Sequence, residues 1–153
     1  MIRFKPIGVV RNQVTQAHPD TTWHEIESEI VIAPEWRDAL DGLAEFSHLW
    51  VIFYFDRAHP LDSLRVHPMR RADLPRVGIF ATRSPSRPNS IGICPVELLS
   101  LRENVVRVRG LDAFDGTPIL DLKPYLERGD AIHNTRVGMW VRQYWAELDK
   151  YEP

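Results

Sequence analysis

The longest unbroken apolar run in this chain, Leu49–Phe55, is seven residues long. That is far short of the roughly 18 or more residues a membrane-spanning helix needs, so no transmembrane helix is expected. The run is rich in β-branched and aromatic side chains, and a strand buried on both faces is predicted over His48–Asp56. Other apolar residues keep the same short-run habit. Ile7 and Val9 alternate with polar neighbours in a strand expected from about Phe4 to Arg11. Ile26, Ser28, Ile30 and Ile32 alternate with Glu25, Glu27, Glu29 and Val31 in a second, half-buried strand. Runs at Val77–Ala81, Ile91–Leu101 and Val105–Leu111, separated by Pro, Asn and Gly, read as further strands of a sequential sheet. Two segments break the pattern. Pro34–Leu43 reads as a short helix, with Pro at a first helical position and Gly42 available to end it. Val137, Trp140, Val141, Tyr144 and Leu148 follow i, i+3, i+4, i+7 and i+11, the spacing of an amphipathic helix. Between them, Arg57–Arg76 reads as a long loop, which in a compact domain is more often functional than idle.

A chain of 153 residues, 44% hydrophobic and 26% charged, is too apolar for a disordered protein and suits one domain over 1–153. The segment Met1–Arg11 lacks the apolar stretch of a secretory signal, and the single cysteine, Cys94, has no internal disulfide partner. A cytoplasmic location is expected. The net charge of −2 conceals an asymmetry: nine arginines and three acidic residues lie from Arg65 to Arg109, a local charge of +6 against −8 for the remainder. Arginine is favoured where planar, two-pronged contact with phosphate or carboxylate matters. Anionic ligand recognition and ion pairing with the acidic remainder explain the patch equally well.

Several familiar sites are excluded. The eight glycines form no Gly-x-Gly pair, so neither a Rossmann fingerprint nor a phosphate-binding Walker loop is present. The six histidines show no His-Glu-x-x-His pattern and one cysteine cannot build a structural zinc site, so no metal is expected. No Gly-x-Ser-x-Gly elbow surrounds a serine. What remains is Phe80-Ala-Thr-Arg-Ser-Pro-Ser-Arg-Pro-Asn-Ser-Ile-Gly92, a stretch in which two prolines restrict Ser84 and Arg87 to extended backbone. Preorganised arginine and backbone N–H groups suit an anionic or nucleotide-like ligand, and the same loop also reads as a rigid turn with solvated arginines. A second cluster is Asp112-Ala-Phe-Asp-Gly-Thr-Pro-Ile-Leu-Asp-Leu-Lys-Pro-Tyr125, a turn followed by alternating Asp121, Lys123 and Tyr125 that face one side. Asp121 with Lys123 as a surface pair and Tyr125 as a core aromatic is the plainer reading of that face.

In these two segments the chain resembles the TsaA-like (TrmO) family, whose pattern runs Phe-Ala-Thr-Arg-Ser-Pro-x-Arg-Pro-Asn-x-Ile-Gly and then Asp-x-x-Asp-Gly-Thr-Pro-x-Leu-Asp-x-Lys-Pro-Tyr. Glu45-Phe-Ser-His-Leu resembles the family's Phe-Ser-His segment, and the likeness covers most of Ile7–Tyr125. Asn12–Thr22 carries no such likeness, and Asp56 stands where the family often has His.

The resemblance implies a mainly β fold, a single-sheeted antiparallel β-barrel with a short helix and a C-terminal amphipathic helix; typical bacterial members carry an additional C-terminal domain, which is not expected here because this chain stops at Pro153. It implies an S-adenosylmethionine-dependent methyltransferase that acts on the N6 of threonylcarbamoyladenosine beside the tRNA anticodon and works as a homodimer. Carried over residue by residue, it assigns the cofactor to Asp56, Arg57, Arg83, Ser84, Arg87, Pro88, Asn89, Ile91, Gly92, Ile93, Leu111, Asp112, Ala113, Phe114 and Asp115. Asp115, Asp121 and Tyr125 are the candidates for orienting the nucleophile or accepting its proton, and Arg70, Arg71 and Lys123 for holding RNA. A methyltransferase for another RNA nucleoside or a small molecule, and a binding module without turnover, are the rival readings.

Overall fold

A computed structural model describes residues 1–18 and 20–150. The chain divides into two compact units, Met1–Arg57 with Ile91–Asp130, and Ala58–Ser90 with the residues from Ala131 onward.

The first unit is a closed antiparallel barrel. Its strands are β1 (Gly8–Arg11), β2 (Glu27–Ile32), β3 (His48–Tyr54), β6 (Ile91–Arg102), β7 (Val105–Arg109) and β8 (Pro118–Pro124), joined in the order β1-β2-β7-β6-β3-β8. Two short strands of the other unit, β4 (Arg65–Val66) and β5 (Val77–Gly78), pair only with each other. Alternation along each barrel strand sends one set of side chains inward: Val10, Ile30, Ile32, Leu49, Val51, Phe53, Val96, Val106, Val108 and Ile119 are all buried. Fully burying each such side chain stabilises the fold by roughly 1.5–3 kcal/mol before entropy is subtracted. Among the described residues, no buried side-chain nitrogen or oxygen lacks a partner.

Strand β2 follows its alternation, with Ser28, Ile30 and Ile32 buried and Glu27 and Glu29 exposed. In β3 the expectation of burial on both faces is corrected: Leu49, Val51 and Phe53 are buried, Trp50 and Ile52 are half-buried, and His48 and Tyr54 are exposed. A closed sheet has one inside, so every second residue of a strand must point out, whatever its polarity. The outer faces consequently differ in chemistry. Across β3 and β6, Tyr54 stands opposite Ile91, Ile52 opposite Ile93 and Trp50 opposite Pro95. Across β2 and β7 the outward residues are charged except for the Val31–Val105 pair, and Glu27 binds both Arg107 and Arg109, the latter at 2.9 Å and also 2.9 Å from Glu97. The hydrogen bond from Arg109, then that from Arg107, holds the Glu27 carboxyl below the usual glutamate range.

Register shifts bend the barrel at two places, between Ile52 and Phe53 on β3 and between Leu98 and Ser100 on β6. The first has a consequence for chemistry. Phe53 pairs with Ile119 while Ile52 pairs with Asp121, so the extra residue in β8 turns Asp121 outward although Ile119, two positions earlier, is fully buried.

The expected helix from Pro34 is a 3-10 helix, Pro34–Leu40, closed by Asp41 N–H to the Asp38 carbonyl at 3.3 Å. Gly42 at φ 80° then starts a second 3-10 turn, Leu43–Glu45. The expected strand Val77–Ala81 stops at Gly78, because the N–H and hydroxyl of buried Thr82 both bond the Ile79 carbonyl, at 3.1 and 2.8 Å, and wind Ile79–Ala81 into a turn. Within the Arg57–Arg76 stretch lie β4 and a turn at Pro68–Arg70 in which Met69 and Arg70 both have φ 56°.

Two helices follow β8: α1 (Glu127–Asp130), unannounced by any periodicity, and α2 (Met139–Leu148). The expected apolar stripe of α2 is realised in half-buried Trp140, Val141 and Tyr144, but Leu148 is exposed and no residue of the helix is fully buried. Polar contacts within the second unit hold it instead. Trp140 Nε1 donates to the Ala81 carbonyl at 3.0 Å, and Arg71 reaches Glu147 at 2.7 Å.

Candidate functional site

In the second unit, the loop Thr82–Ser90 is stiffened by its own residues. Arg87 Nη1 donates to the carbonyls of Thr82 and Ser84, at 3.0 and 3.2 Å, and the Ser84 N–H donates to Thr82 Oγ1 at 3.3 Å. The arginine therefore folds back onto its own loop. Arg83 is not engaged in this way: it is exposed, and its side chain has no hydrogen-bond or ion-pair partner among the described residues. Pro88 and Asn89 are exposed and Ser84 is half-buried. Beyond the loop, in the barrel unit, Ile91 and Ile93 are exposed on β6 while Gly92 between them is buried.

In the barrel unit, the loop Leu111–Asp115 leaves β7 with Leu111 and Ala113 buried in the core and Asp112 between them exposed. Desolvation by surrounding protein raises the Asp112 carboxyl above the usual aspartate range even though the residue as a whole is open to solvent. No hydrogen-bond partner compensates it among the described residues. A carboxyl whose folded pKa is raised costs stability once deprotonated and costs nothing when both folded and unfolded states are protonated. Asp112→Asn is therefore expected to raise the melting temperature of the ligand-free protein at pH 7 and to leave it unchanged near pH 3.5, below the ordinary aspartate range of about 3.9. Thermal melts at the two pH values check this; a lower melting temperature at pH 7 contradicts it.

Asp115 is tied down on every side. Its Oδ1 accepts the Asn12 N–H at 3.0 Å, its own N–H donates to the Val14 carbonyl at 2.8 Å, and its carbonyl accepts Arg57 Nη2 at 2.5 Å. Arg57 Nη1 also reaches the Thr15 carbonyl at 2.8 Å, and the guanidinium lies 5.4 Å over the Phe114 ring. Asn12 completes the arrangement: its Nδ2 donates to Ser28 Oγ at 2.9 Å and to the Ala113 carbonyl at 3.0 Å, and its Oδ1 accepts the Val14 N–H at 2.9 Å. The neighbouring Asp56 is exposed, with its N–H on the Tyr54 carbonyl.

A separate group occupies the outside of β8. Asp121 and Lys123 pair at 2.9 Å, Asp121 Oδ1 accepts the Leu122 N–H at 2.9 Å, and Tyr125 packs its half-buried ring 5.6 Å from Trp50 and 6.4 Å from His48. Trp50 Nε1 donates to Asp130 at 2.8 Å. The structure thus gathers Asp121, Lys123 and Tyr125 on one face and gathers Arg57 with Phe114 and Asp115 elsewhere. Among the described residues, no hydrogen bond, ion pair or ring contact joins the two groups.

Most of the arginine-rich segment is engaged internally. Arg71 binds Asp73 at 2.5 Å and Glu147 at 2.7 Å, Arg107 and Arg109 bind glutamates, and Arg65 and Arg76 cap each other's carbonyls. Arg70, Arg83 and Arg102 are the exposed exceptions, without a side-chain partner among the described residues. Of the residues expected to hold RNA, Arg70 is open, whereas Arg71 and Lys123 already hold carboxylates. Asn12, Thr15, Trp50 and Asp130 each carry a contact that no local pattern announced, with a partner between 42 and 103 positions away. Among the described residues, no three His, Cys, Asp or Glu side chains gather closely enough to hold a metal ion, and no helix is long and apolar enough to cross a membrane.

The family pattern that the chain matches is the tRNA-methyltransferase O N-terminal domain, over residues 12–131. A probable S-adenosyl-L-methionine-binding protein of Methanothermobacter thermautotrophicus is 46% identical over 134 residues, 86% of this chain and 95% of that relative. A tRNA (adenine(37)-N6)-methyltransferase of Mus musculus is 40% identical over 114 residues, 74% of this chain but 26% of the longer relative. The crystal structure of TrmO from Pseudomonas aeruginosa superposes with a TM-score of 0.71 at 30% identity, covering 91% of this chain. The chain spans about three fifths of that solved chain, 62% of its length.

Proposed function

Because the chain belongs to the tRNA-methyltransferase O N-terminal domain family, we propose that it is an S-adenosylmethionine-dependent methyltransferase acting on tRNA, with the N6 of threonylcarbamoyladenosine beside the anticodon as its target. The observation that carries the reading is the match over residues 12–131, which includes both motif loops, supported by the free Arg83 and the uncompensated Asp112. In the barrel unit, the chemistry of Asp112 suits the donor's ammonium or ribose hydroxyls; in the other unit, the unpartnered Arg83 suits a carboxylate. When bound, S-adenosylmethionine supplies an electrophilic methyl group. The protein's own task is to position the accepting nitrogen and remove its proton. Asp121 and Tyr125 are proposed for that task on their shared face. Asp115, engaged by Asn12 through Oδ1, is proposed to hold the loop and to present Oδ2.

Methyl transfer from labelled cofactor to bulk tRNA, followed by nucleoside mass spectrometry, tests the reading. Label in N6-methylated threonylcarbamoyladenosine is expected; label in another nucleoside reassigns the substrate. Cofactor binding without any transfer supports the second reading, a binding module, which the likeness to a probable S-adenosyl-L-methionine-binding protein over 95% of that archaeal relative's length favours. No rise in melting temperature at millimolar cofactor removes both readings, because a ligand selective for the folded state must stabilise it.

Arg83→Lys keeps the charge and loses the planar fork. It is expected to weaken cofactor binding by about 1.5–3 kcal/mol in calorimetric titration. Unchanged cofactor affinity with weaker, salt-sensitive tRNA binding assigns Arg83 to RNA instead.

The same reading includes one domain over 1–153, a cytoplasmic location and a homodimer. One end of the outer face of β3 and β6 is uncharged, with Tyr54, Ile91 and Ile93 at 45%, 40% and 61% exposure, and this supports the dimer. Light scattering at micromolar concentration checks it, and a monomer contradicts it.

A further inference from the structure

The family resemblance places Arg57 among the cofactor contacts, but its guanidinium is already committed. Nη1 and Nη2 hold the carbonyls of Thr15 and Asp115, and the flat face lies over Phe114. These three residues come from two chain segments with no covalent proximity, Asn12–Thr15 and Ala113–Asp115, which also exchange the Asn12 N–H to Asp115 Oδ1 bond and the Asp115 N–H to Val14 carbonyl bond. Gly116, with φ 84°, lets the chain turn directly beneath the guanidinium; a Cβ there would sit 3.9 Å from Arg57 Nη2. We propose that Arg57 is a positioning residue: it clasps segment 12–15 against loop 113–115 and so sets the wall of the cofactor site without touching the cofactor. The inference rests on the functional reading above for what the wall encloses, while the clasp itself rests on the geometry.

A guanidinium presents five N–H groups in a fixed fork, and its two ends here meet carbonyls that otherwise belong to different strands' connections. Segment 12–15 has no regular secondary structure beyond the end of β1, so its backbone has few alternative partners. Removing the fork frees the Thr15 carbonyl and one acceptor bond at Asp115, and the loop that carries Asp112 and Phe114 loses its brace.

Arg57→Ala and Arg57→Lys, measured as full-length protein, test this. Cofactor affinity by calorimetric titration is expected to fall about tenfold in Arg57→Ala, with amide hydrogen exchange accelerating at Val14 and Asp115, whose N–H groups are bonded within the clasp. Arg57→Lys, able to reach one carbonyl, is expected to fall between. Millimolar methylguanidinium is expected to restore both affinity and protection in Arg57→Ala. Weaker binding with unchanged exchange at these amides overturns the proposal in favour of a direct cofactor contact, and unchanged affinity with faster exchange overturns the link between clasp and site. Failure of the wild-type protein to bind S-adenosylmethionine removes the functional reading, and the exchange data then decide the clasp alone.

Discussion

Gly92→Ala is expected to destabilise the barrel by about 1–3 kcal/mol, and Gly92→Val by more. A Cβ built at residue 92 would lie 2.5 Å from both Cε2 and Cζ of Phe53 and 2.9 Å from Cζ of Phe55. Phe53 stands directly opposite Gly92 across β3 and β6, is 2% exposed, and packs edge-on to Phe55 with ring centroids 5.0 Å apart. Its ring cannot swing aside without displacing a second ring and the core around it. The collision predicts a signature beyond simple loss. Phe53→Leu alone removes favourable packing, yet in the Gly92→Ala background it relieves the clash, so the double variant should be more stable than the sum of the singles allows. Urea unfolding midpoints for the four proteins provide the cycle; strict additivity refutes the steric account.

Asn12→Ala is expected to cost about 2–4 kcal/mol, since it removes three side-chain hydrogen bonds at once and leaves polar groups behind in partly buried surroundings. The groups left are the hydroxyl of Ser28, 2% exposed on β2, the Ala113 carbonyl, and the Val14 N–H. Asn12→Asp gives a sharper test. The ionised side chain still accepts from Val14 but confronts the Ala113 carbonyl with a second acceptor, whereas the protonated form donates to it. The folded state therefore favours the protonated carboxyl, its pKa is raised, and the deficit of the Asp variant should be largest at neutral pH and shrink as pH falls through the carboxylate range. A deficit independent of pH would falsify the hydrogen-bond assignment at Ala113. In either variant, cofactor affinity should fall with stability, because Asn12 braces the same loop that bears Asp112.

What the sequence determined by itself was whatever repeats over a few residues or stands in a contiguous motif. Period-two alternation identifies β2 from Ser28, Ile30 and Ile32, and short apolar runs identify β6 and β7 to within two residues at each end. The two motif loops and the family follow from contiguous residues in the same way. Composition cannot report which side of a strand is inside. The aromatic run of β3 reads as doubly buried, and only closure of the barrel turned Trp50, Ile52 and Tyr54 outward. A one-residue shift opposite Phe53 likewise decided that Asp121 faces out beside Lys123. The arginine patch, evenly balanced between ligand binding and ion pairing on sequence grounds, was divided by partners far along the chain, such as Glu27 for Arg107 and Glu147 for Arg71. Asn12 shows the limit most plainly. It sits in a segment without a recognisable motif, and its hydrogen bonds reach Ala113 and Asp115, 101 and 103 positions away. Periodicity is a local property of the backbone and is written in neighbouring residues; hydrogen-bond partnership between distant segments exists only once the barrel has closed and brought them within 3 Å.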